Sequence, residues 1–352
     1  MLLEQPLFYY EAIREKFKNS YLAEDKTQTI IGIDCEYIDE KDMDFYGLRS
    51  YFDTNRNRPL APFAGLFGVF AYDGVRYFEY IGEEKAKKYE FPKFIYADAK
   101  AYLHFDKMSK IYTFYGDKER YYDFLLNLKA EHKGEKECEF SIKTDLSSEK
   151  KHFEDMDGEK AHFLNIAKRA KEYLKSGDVF QVVLGELLEI STNMGSLDFY
   201  KRLANANPSP YMFHFPTPYG DVVGSSPELV FEMKSEQIFV APIAGTRPRG
   251  SDANADLALE NELLSDEKEL AEHKMLIDLA RNDIGRVSEP KSVVVKNAMH
   301  IQKFEKVMHI VSDVYGKCAR ELNLFDVLAS IFPAGTLSGA PKIRAMQIIN
   351  EL

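Results

Sequence analysis

The chain has 352 residues, 45% of them hydrophobic and 29% charged, enough for a substantial core in one large domain or two smaller ones. Its net charge of −11 disfavours nucleic acid and anionic membranes, whose phosphates are held by clustered Lys and Arg, and leaves small-molecule chemistry as the expected class. No apolar run reaches the length of a membrane span, and Met1–Lys16 scatters Glu4, Glu11, Arg14 and Glu15 through its apolar residues unlike a signal peptide, so a cytoplasmic location is expected.

Taken in chain order, the part up to about residue 140 reads as β-rich. Thr29–Asp34, Leu66–Tyr72, Tyr77–Ile81, Lys93–Lys100 and Ile111–Tyr115 are short β-branched or aromatic runs separated by Gly, Asp and Lys clusters. Helices are expected at Tyr9–Phe17 and Lys118–Leu128. Lys133–Lys151 turns polar and rich in Lys, Glu and Ser, as a surface connector does, which divides the chain into 1–145 and 146–352. Beyond it an amphipathic helix, Lys160–Lys175, ends at Gly177 and leads into a strand, Val179–Leu188. Helix Asp198–Ala206 stops before Asn207 and Pro208, and strands follow at Tyr211–Phe215, Val222–Ser225, Leu229–Met233 and Gln237–Pro242. Helices Asp256–Leu264 and Asp266–Arg281, strands Ser292–Ala298 and Val307–Tyr315, helix Phe325–Ile331 and a helix opened by Pro341 complete the series. Strands in runs between helices predict an α+β fold of antiparallel sheets packed together and covered by helices, not a βαβ repeat. Cys35, Cys138 and Cys318 are few, odd in number and far apart, which suits reduced structural thiols.

Four segments carry candidate chemistry. In KELAEHKMLIDLARND, Lys268–Asp283, helical pitch sets Glu269, Glu272 and Leu276 on one face, so two carboxylates border the apolar stripe of Leu276, Leu279 and Ala280. Hard oxygen donors there suit Mg²⁺, which takes one or two carboxylates plus substrate oxygens; a solvated helix edge with ordinary Glu–Lys pairs is the alternative. FPAGTLSGAPKIR, Phe332–Arg344, has glycines for close backbone approach and Pro341 at a helix start that attracts anions, without the spacing of a P-loop; a turn that only packs would look alike. APIAGTRPRG, Ala241–Gly250, leads from a strand into Ala244, Gly245 and Thr246, then presents Arg247 and Arg249. His309 sits among apolar neighbours in a strand, where a satisfied core histidine is common.

In combination, FQVVLGE at Phe180, NPSPYMF at Asn207, SPE at Ser226, PIAGTRPRG at Pro242, EHKMLIDLARND at Glu272, VMHIVSDVYG at Val307 and PAGTLSGAPKIRAM at Pro333 resemble the chorismate-binding enzymes, and among them anthranilate synthase component I. The resemblance runs from about Lys16 to the last residue. Gln181 stands where the water-adding isochorismate and salicylate synthases carry a lysine base, which points to ammonia as nucleophile. Ala244 and AGTLSG stand where many aminodeoxychorismate synthases have PIKGT and GGSITG, although some of those enzymes also lack that lysine.

The resemblance implies a chorismate-converting lyase of tryptophan biosynthesis that needs Mg²⁺ and receives ammonia from a separate glutamine amidotransferase subunit. Glu272 then corresponds to a metal ligand, Gly245 and Thr246 to chorismate contacts, and Thr336 to a residue against the ring. Glu228 and His309 correspond to groups that assist departure of the C4 hydroxyl, and Glu269 to an acid behind them. Residues 1–145 match the regulatory region, and tryptophan is expected as feedback inhibitor between Glu24 and Asp25 on one side and Pro210, Tyr211 and Met212 on the other; Asp25 replaces the family's serine. Relatives continue past Leu352 with a second metal carboxylate and further substrate contacts, so little activity is expected of this polypeptide alone. An aminodeoxychorismate synthase and a non-catalytic tryptophan-binding fragment are the rival readings.

Overall fold

The computed structural model describes residues 5–55, 60–87, 89–131, 156–185 and 192–352. By contacts the chain forms two compact units whose sequences interleave. The described residues of Met1–Gly74, Lys87–Thr144 and Thr192–Pro227 make the first, and those of Val75–Ala86, Asp145–Ser191 and Glu228–Leu352 the second. The units therefore do not part at a single point near 145: strands Tyr211–Phe215 and Val222–Ser226, although late in sequence, complete a sheet begun by the first strands of the chain. Lys133–Lys151, the expected connector, lies outside the described residues.

The first unit is built on a six-stranded antiparallel sheet in the order Val222–Ser226, Tyr211–Phe215, Tyr21–Glu24, Gln28–Ile33, Ala101–Asp106, Ile111–Tyr115. Tyr21 pairs with Gly32, and its ring occupies the place a side chain there would need, which fixes the register of this hairpin. On one face, helices Pro6–Lys16, Asp123–Glu131 and Ser196–Ala206 cover a core of Tyr9, Tyr10, Ile13, Leu22, Leu103 and Tyr200. Each such fully buried side chain contributes ~1.5–3 kcal/mol. The other face meets a three-stranded sheet, Glu36–Asp39, Phe94–Asp98 and Leu66–Phe70, through Tyr21, Ile95, Ala97, Tyr102 and Phe215.

The second unit has a five-stranded antiparallel sheet centred on Val307–Lys317. Gln237–Val240 and Ile243–Pro248 pair along one part or another of that strand, Val294–Lys303 pairs along it as well, and Glu232–Lys234 extends the sheet beyond Gln237–Val240. Helix Glu267–Gly285 packs on this sheet, sealing Ala280 and Ile284 against Ile238, Val240, Val314, Val327 and Ile331. Asp266 separates that helix from Ala253–Ser265. It accepts from the N–H groups of Lys268 and Glu269, an N-cap worth ~1 kcal/mol that sets where the acid-bearing face begins. Among the described residues no helix is long and apolar enough to cross a membrane.

Three expected strands differ, and of these Leu229–Met233 begins only at Glu232. Tyr77–Ile81 is not a strand: a 3-10 turn over Tyr72–Tyr77 runs into a further turn in which Phe78 and Glu79 donate to the Val75 carbonyl. Aromatic residues gave it β-propensity, but Phe78 and Glu79 bond within the turn, the Tyr80 carbonyl accepts from the Gln347 side chain, and no sheet of the described residues receives it. Val179–Leu188 shrinks to Gln181–Val182, paired with Gly339–Ala340. Its partner is cut short by Pro341, which has no N–H to extend the ladder, and residues 186–191 lie outside the described ones.

Candidate active site

All the residues expected to serve catalysis fall in the second unit, and the structure gathers them into three small groups. The first forms at a β-bulge. Strand Ile243–Pro248 slips register against Val307–Lys317 between Ala244 and Thr246, and the extra residue, Gly245, has φ +70°, a conformation open to glycine and strained for others. The bulge turns the Gly245 carbonyl onto His309 Nδ1 at 3.0 Å, with Thr246 Oγ1 at 3.1 Å from the same nitrogen. A carbonyl only accepts, so Nδ1 carries the proton and donates. In the neutral ring Nε2 is then left with its lone pair, and Phe304 sets the ring's orientation by an edge contact at 5.4 Å. His309 is half-buried with specific partners, which removes the reading of it as an ordinary core histidine. The Glu269 carboxylate faces the same bulge, since a methyl group placed on Gly245 would stand 3.3 Å from its Oε2.

The second group joins Glu272 to the two-residue strand. Gln181 Nε2 donates to Glu272 Oε1 at 3.1 Å, and the other end of that amide, Oε1, is buried with no hydrogen-bond partner. An orphaned buried carboxamide oxygen costs ~1–3 kcal/mol, so a site that keeps one beside a carboxylate is short of a donor or a cation. Glu272 is half-buried rather than solvated, against the reading of this face as a plain helix edge.

The third group is Thr336 and Glu228. Thr336 Oγ1 donates to Glu228 Oε1 at 2.8 Å, and burial raises the Glu228 pKa although that hydrogen bond works against it. Glu228, Asp283, Gly335 and Thr336 line a cavity of about 30 Å³, otherwise walled by apolar residues such as Leu276 and Leu279. That is room for a water-sized molecule or two. Helix Glu267–Gly285 supplies a side chain to every group: Glu269 to the bulge, Glu272 to Gln181, and Leu276, Leu279 and Asp283 to the cavity.

A divalent cation fits what is present. Among the described residues no group of three or more His, Cys, Asp or Glu could hold a metal ion. The hard donors on offer are instead Glu272 and the orphaned Gln181 oxygen beside it, of the kind Mg²⁺ takes while keeping water and substrate oxygens in its shell; Glu269, one turn before, faces the Gly245 bulge.

The sequence singled out neither Asp283 nor His273. Asp283 was visible in principle, because Glu272, Leu276, Leu279 and Asp283 continue one helical stripe. His273 carried no such signal; it is fully buried, bonded through Nε2 to Ser312 Oγ at 2.7 Å, and burial lowers its pKa to about 4.

The residues expected to bind an inhibitor lie in the first unit, in adjacent strands. Glu24 stands opposite Met212 in the sheet, with Tyr211 exposed next along its strand and Pro210 just before it. The Glu24 carboxylate accepts from Tyr200 and, at 2.9 Å, from Thr29 Oγ1, and pairs with Lys107 at 3.1 Å. Asp25, expected as an extra charge near a ligand, builds its own turn, accepting from the N–H groups of Thr27 and Gln28 and from both their side chains. Burial pushes its pKa up, but these hydrogen bonds prevail and hold it below the ordinary value.

A family model described as chorismate binding enzyme matches residues 5–352. The chain is similar to anthranilate synthase component 1 of Acinetobacter calcoaceticus, 41% identical over an alignment of 313 residues, with 82% of this chain and 60% of that protein covered. It is also similar to anthranilate synthase component 1 of Acetivibrio thermocellus, 51% identical over 193 residues, 55% of this chain and 39% of that protein. The chain thus spans less than two thirds of the length of either relative. Among solved structures, anthranilate synthase component I from Streptococcus pneumoniae matches all of this chain and 78% of its own, with TM-score 0.70 and 28% identity. The menaquinone-specific isochorismate synthase of Escherichia coli matches 99% of this chain and 76% of its own, with TM-score 0.68; at 11% identity it shares the fold alone.

Proposed function

The chain belongs to the chorismate-binding enzyme family, and we propose that it carries the reaction centre of an anthranilate synthase large subunit, converting chorismate and ammonia to anthranilate, pyruvate and water. The observation that supports this most is the convergence on one helix: Glu272 beside Gln181, Glu269 facing the Gly245 bulge that holds His309, and the cavity shared by Glu228 and Thr336.

Chorismate is a dianion, and an acidic chain must neutralise it locally. Mg²⁺ held by Glu272, with Glu269 and Gln181 near, supplies that positive charge when bound. The Gly245 bulge and the Thr246 hydroxyl bind and orient the ring. Ammonia adds at C2, and the C4 hydroxyl departs as water after taking a proton. Glu228, kept protonated to higher pH by burial, is the proposed donor, with Thr336 fixing the carboxyl and His309 a second proton carrier through Nε2. Loss of the C2 proton and of the enolpyruvyl group as pyruvate then makes the ring aromatic. Gln181 cannot take a proton from water as a lysine could, which favours an already nucleophilic amine. A glutamine amidotransferase subunit is the proposed ammonia source.

In the first unit we propose a tryptophan site at Glu24, Asp25 and Pro210–Met212, with Asp25 also building the turn that follows Glu24. Calorimetric titration with tryptophan, wild type against Glu24→Gln, tests it; equal heats would overturn it.

The function is tested by titrating the purified protein with chorismate, with and without Mg²⁺, and identifying the product formed with ammonium. Mg²⁺-dependent binding is expected, with anthranilate, formed slowly and read by its blue fluorescence, as the product. Accumulation of 4-amino-4-deoxychorismate would transfer the chain to that branch, and absence of any chorismate binding would overturn the reading.

A further inference from the structure

The loop that carries Thr336 is gripped at both ends by one lysine. Lys342 Nζ donates to the carbonyl of Ile331, where helix Leu324–Ile331 ends, at 2.5 Å, and to Asp283 Oδ2, near the end of helix Glu267–Gly285, at 2.6 Å. Ser330 Oγ, beside Ile331, donates to the Asp283 backbone carbonyl at 2.5 Å. Lys342 itself begins helix Lys342–Glu351. Residues 332–341 are therefore held to one point on helix Glu267–Gly285 at entry and at exit, and Thr336 reaches Glu228 from the middle of that span.

The pair is well shielded, with side chains 10% and 14% exposed, and the charged groups around it are Arg286 and Glu79, themselves 3.6 Å apart. Burying two charges is an expensive way to gain stability, because apolar residues of similar size often do as well or better. What an ammonium offers that a methyl group cannot is three directed donors, able to tie a carbonyl and a carboxylate from separate helices in a fixed geometry. Asp283 also lines the cavity into which Glu228 and Thr336 look, so displacing it shifts a wall of that site.

We propose that Lys342 and Asp283 are positioning residues, a buried clamp that fixes loop 332–341 so that Thr336 holds Glu228 in place for chorismate. This rests on the functional reading above, and the test separates the two. Removing Lys342 alone strands a buried carboxylate and endangers folding, so the informative variant is the double change Lys342→Met with Asp283→Leu, which leaves no lone charge inside. Hydrogen exchange of the free protein should show faster exchange at residues 332–341 in this variant with the sheet unchanged; unaltered exchange there overturns the clamp whatever the substrate. With chorismate, turnover should fall ~10- to 100-fold, since small misplacements near the chemistry are costly. In a Thr336→Ala background the same double change should cost less than about twofold, because the clamp acts through Thr336; equal losses in both backgrounds would mark a merely structural pair and overturn the proposal. If the wild type binds no chorismate, the functional reading fails while the exchange result still decides the clamp.

Discussion

Glu228 is, with Asp283, one of two acids lining the candidate cavity whose protonation the fold alters. Burial raises its pKa, so the side chain keeps its proton to higher pH than free glutamate. The stability it lends is present below the unfolded pKa and lost as pH rises through the folded one, and acid-assisted turnover falls in the same direction. Glu228→Gln keeps the shape and the contact with Thr336 but has no proton to give. A ~10²- to 10⁴-fold drop in chorismate turnover is expected, together with loss of the alkaline limb of the pH–rate profile; an unchanged limb would remove Glu228 from the proton-donor role. Glu272 makes a separate prediction that needs no substrate. Glu272→Gln should weaken Mg²⁺ binding, measured by calorimetry with the metal alone, by at least ~10-fold, because a charged hard ligand is replaced by a neutral one.

Among the elements, the bulged strand Ile243–Pro248 matters most. Sequence marked Ala244, Gly245 and Thr246 as the passage from a strand into a loop, whereas the structure makes them part of a further strand and uses its irregularity to aim a carbonyl at His309. Gly245→Ala meets two penalties: a left-handed φ, costing ~1–2 kcal/mol for a residue with a side chain, and crowding at 3.1–3.3 Å by Leu263, Ile310 and Glu269. A lowered urea midpoint with weakened chorismate binding is expected, and a midpoint unchanged from wild type would mean that the bulge relaxes freely. Helix Glu267–Gly285 was legible nearly throughout, because its apolar positions recur at helical spacing and Asp266 caps it. Tyr77–Ile81 was read wrongly: its aromatic residues state a preference for extended chain, but a strand exists only where another strand offers its edge.

For the molecule as a whole, each unit buries a neutral histidine. His214 in the first is fully buried among Tyr10, Ser196, Arg14 and Asp221, and His273 in the second is equally enclosed; burial lowers both pKa values from 6.5 to about 4. A depressed pKa gives stability that is complete above the unfolded value and is lost as pH falls toward the folded one, so both units should weaken between pH 6.5 and about 4. In the second unit Asp283 opposes this. Burial raises its pKa to about 6 despite Lys342, so its contribution grows as pH falls through the same window. The first unit is therefore expected to lose structure earlier on acidification, and His214→Gln to flatten its dependence, as followed by hydrogen exchange of each unit across that range; coincident loss with no effect of the variant would contradict this. The sequence by itself determined the family, through long motifs in a fixed order, and most helices and strands, through apolar periodicity, because both are recorded in local spacing. Only the tertiary structure decided that Gln181 touches Glu272, that a bulge sets the tautomer of His309, that Asp283 and Lys342 form a pair, and that strands from residues 211–226 complete the first sheet. These joins link residues from 59 to nearly 200 positions apart, and at such separations burial and the demand for hydrogen-bond partners choose the neighbours, which no local spacing records.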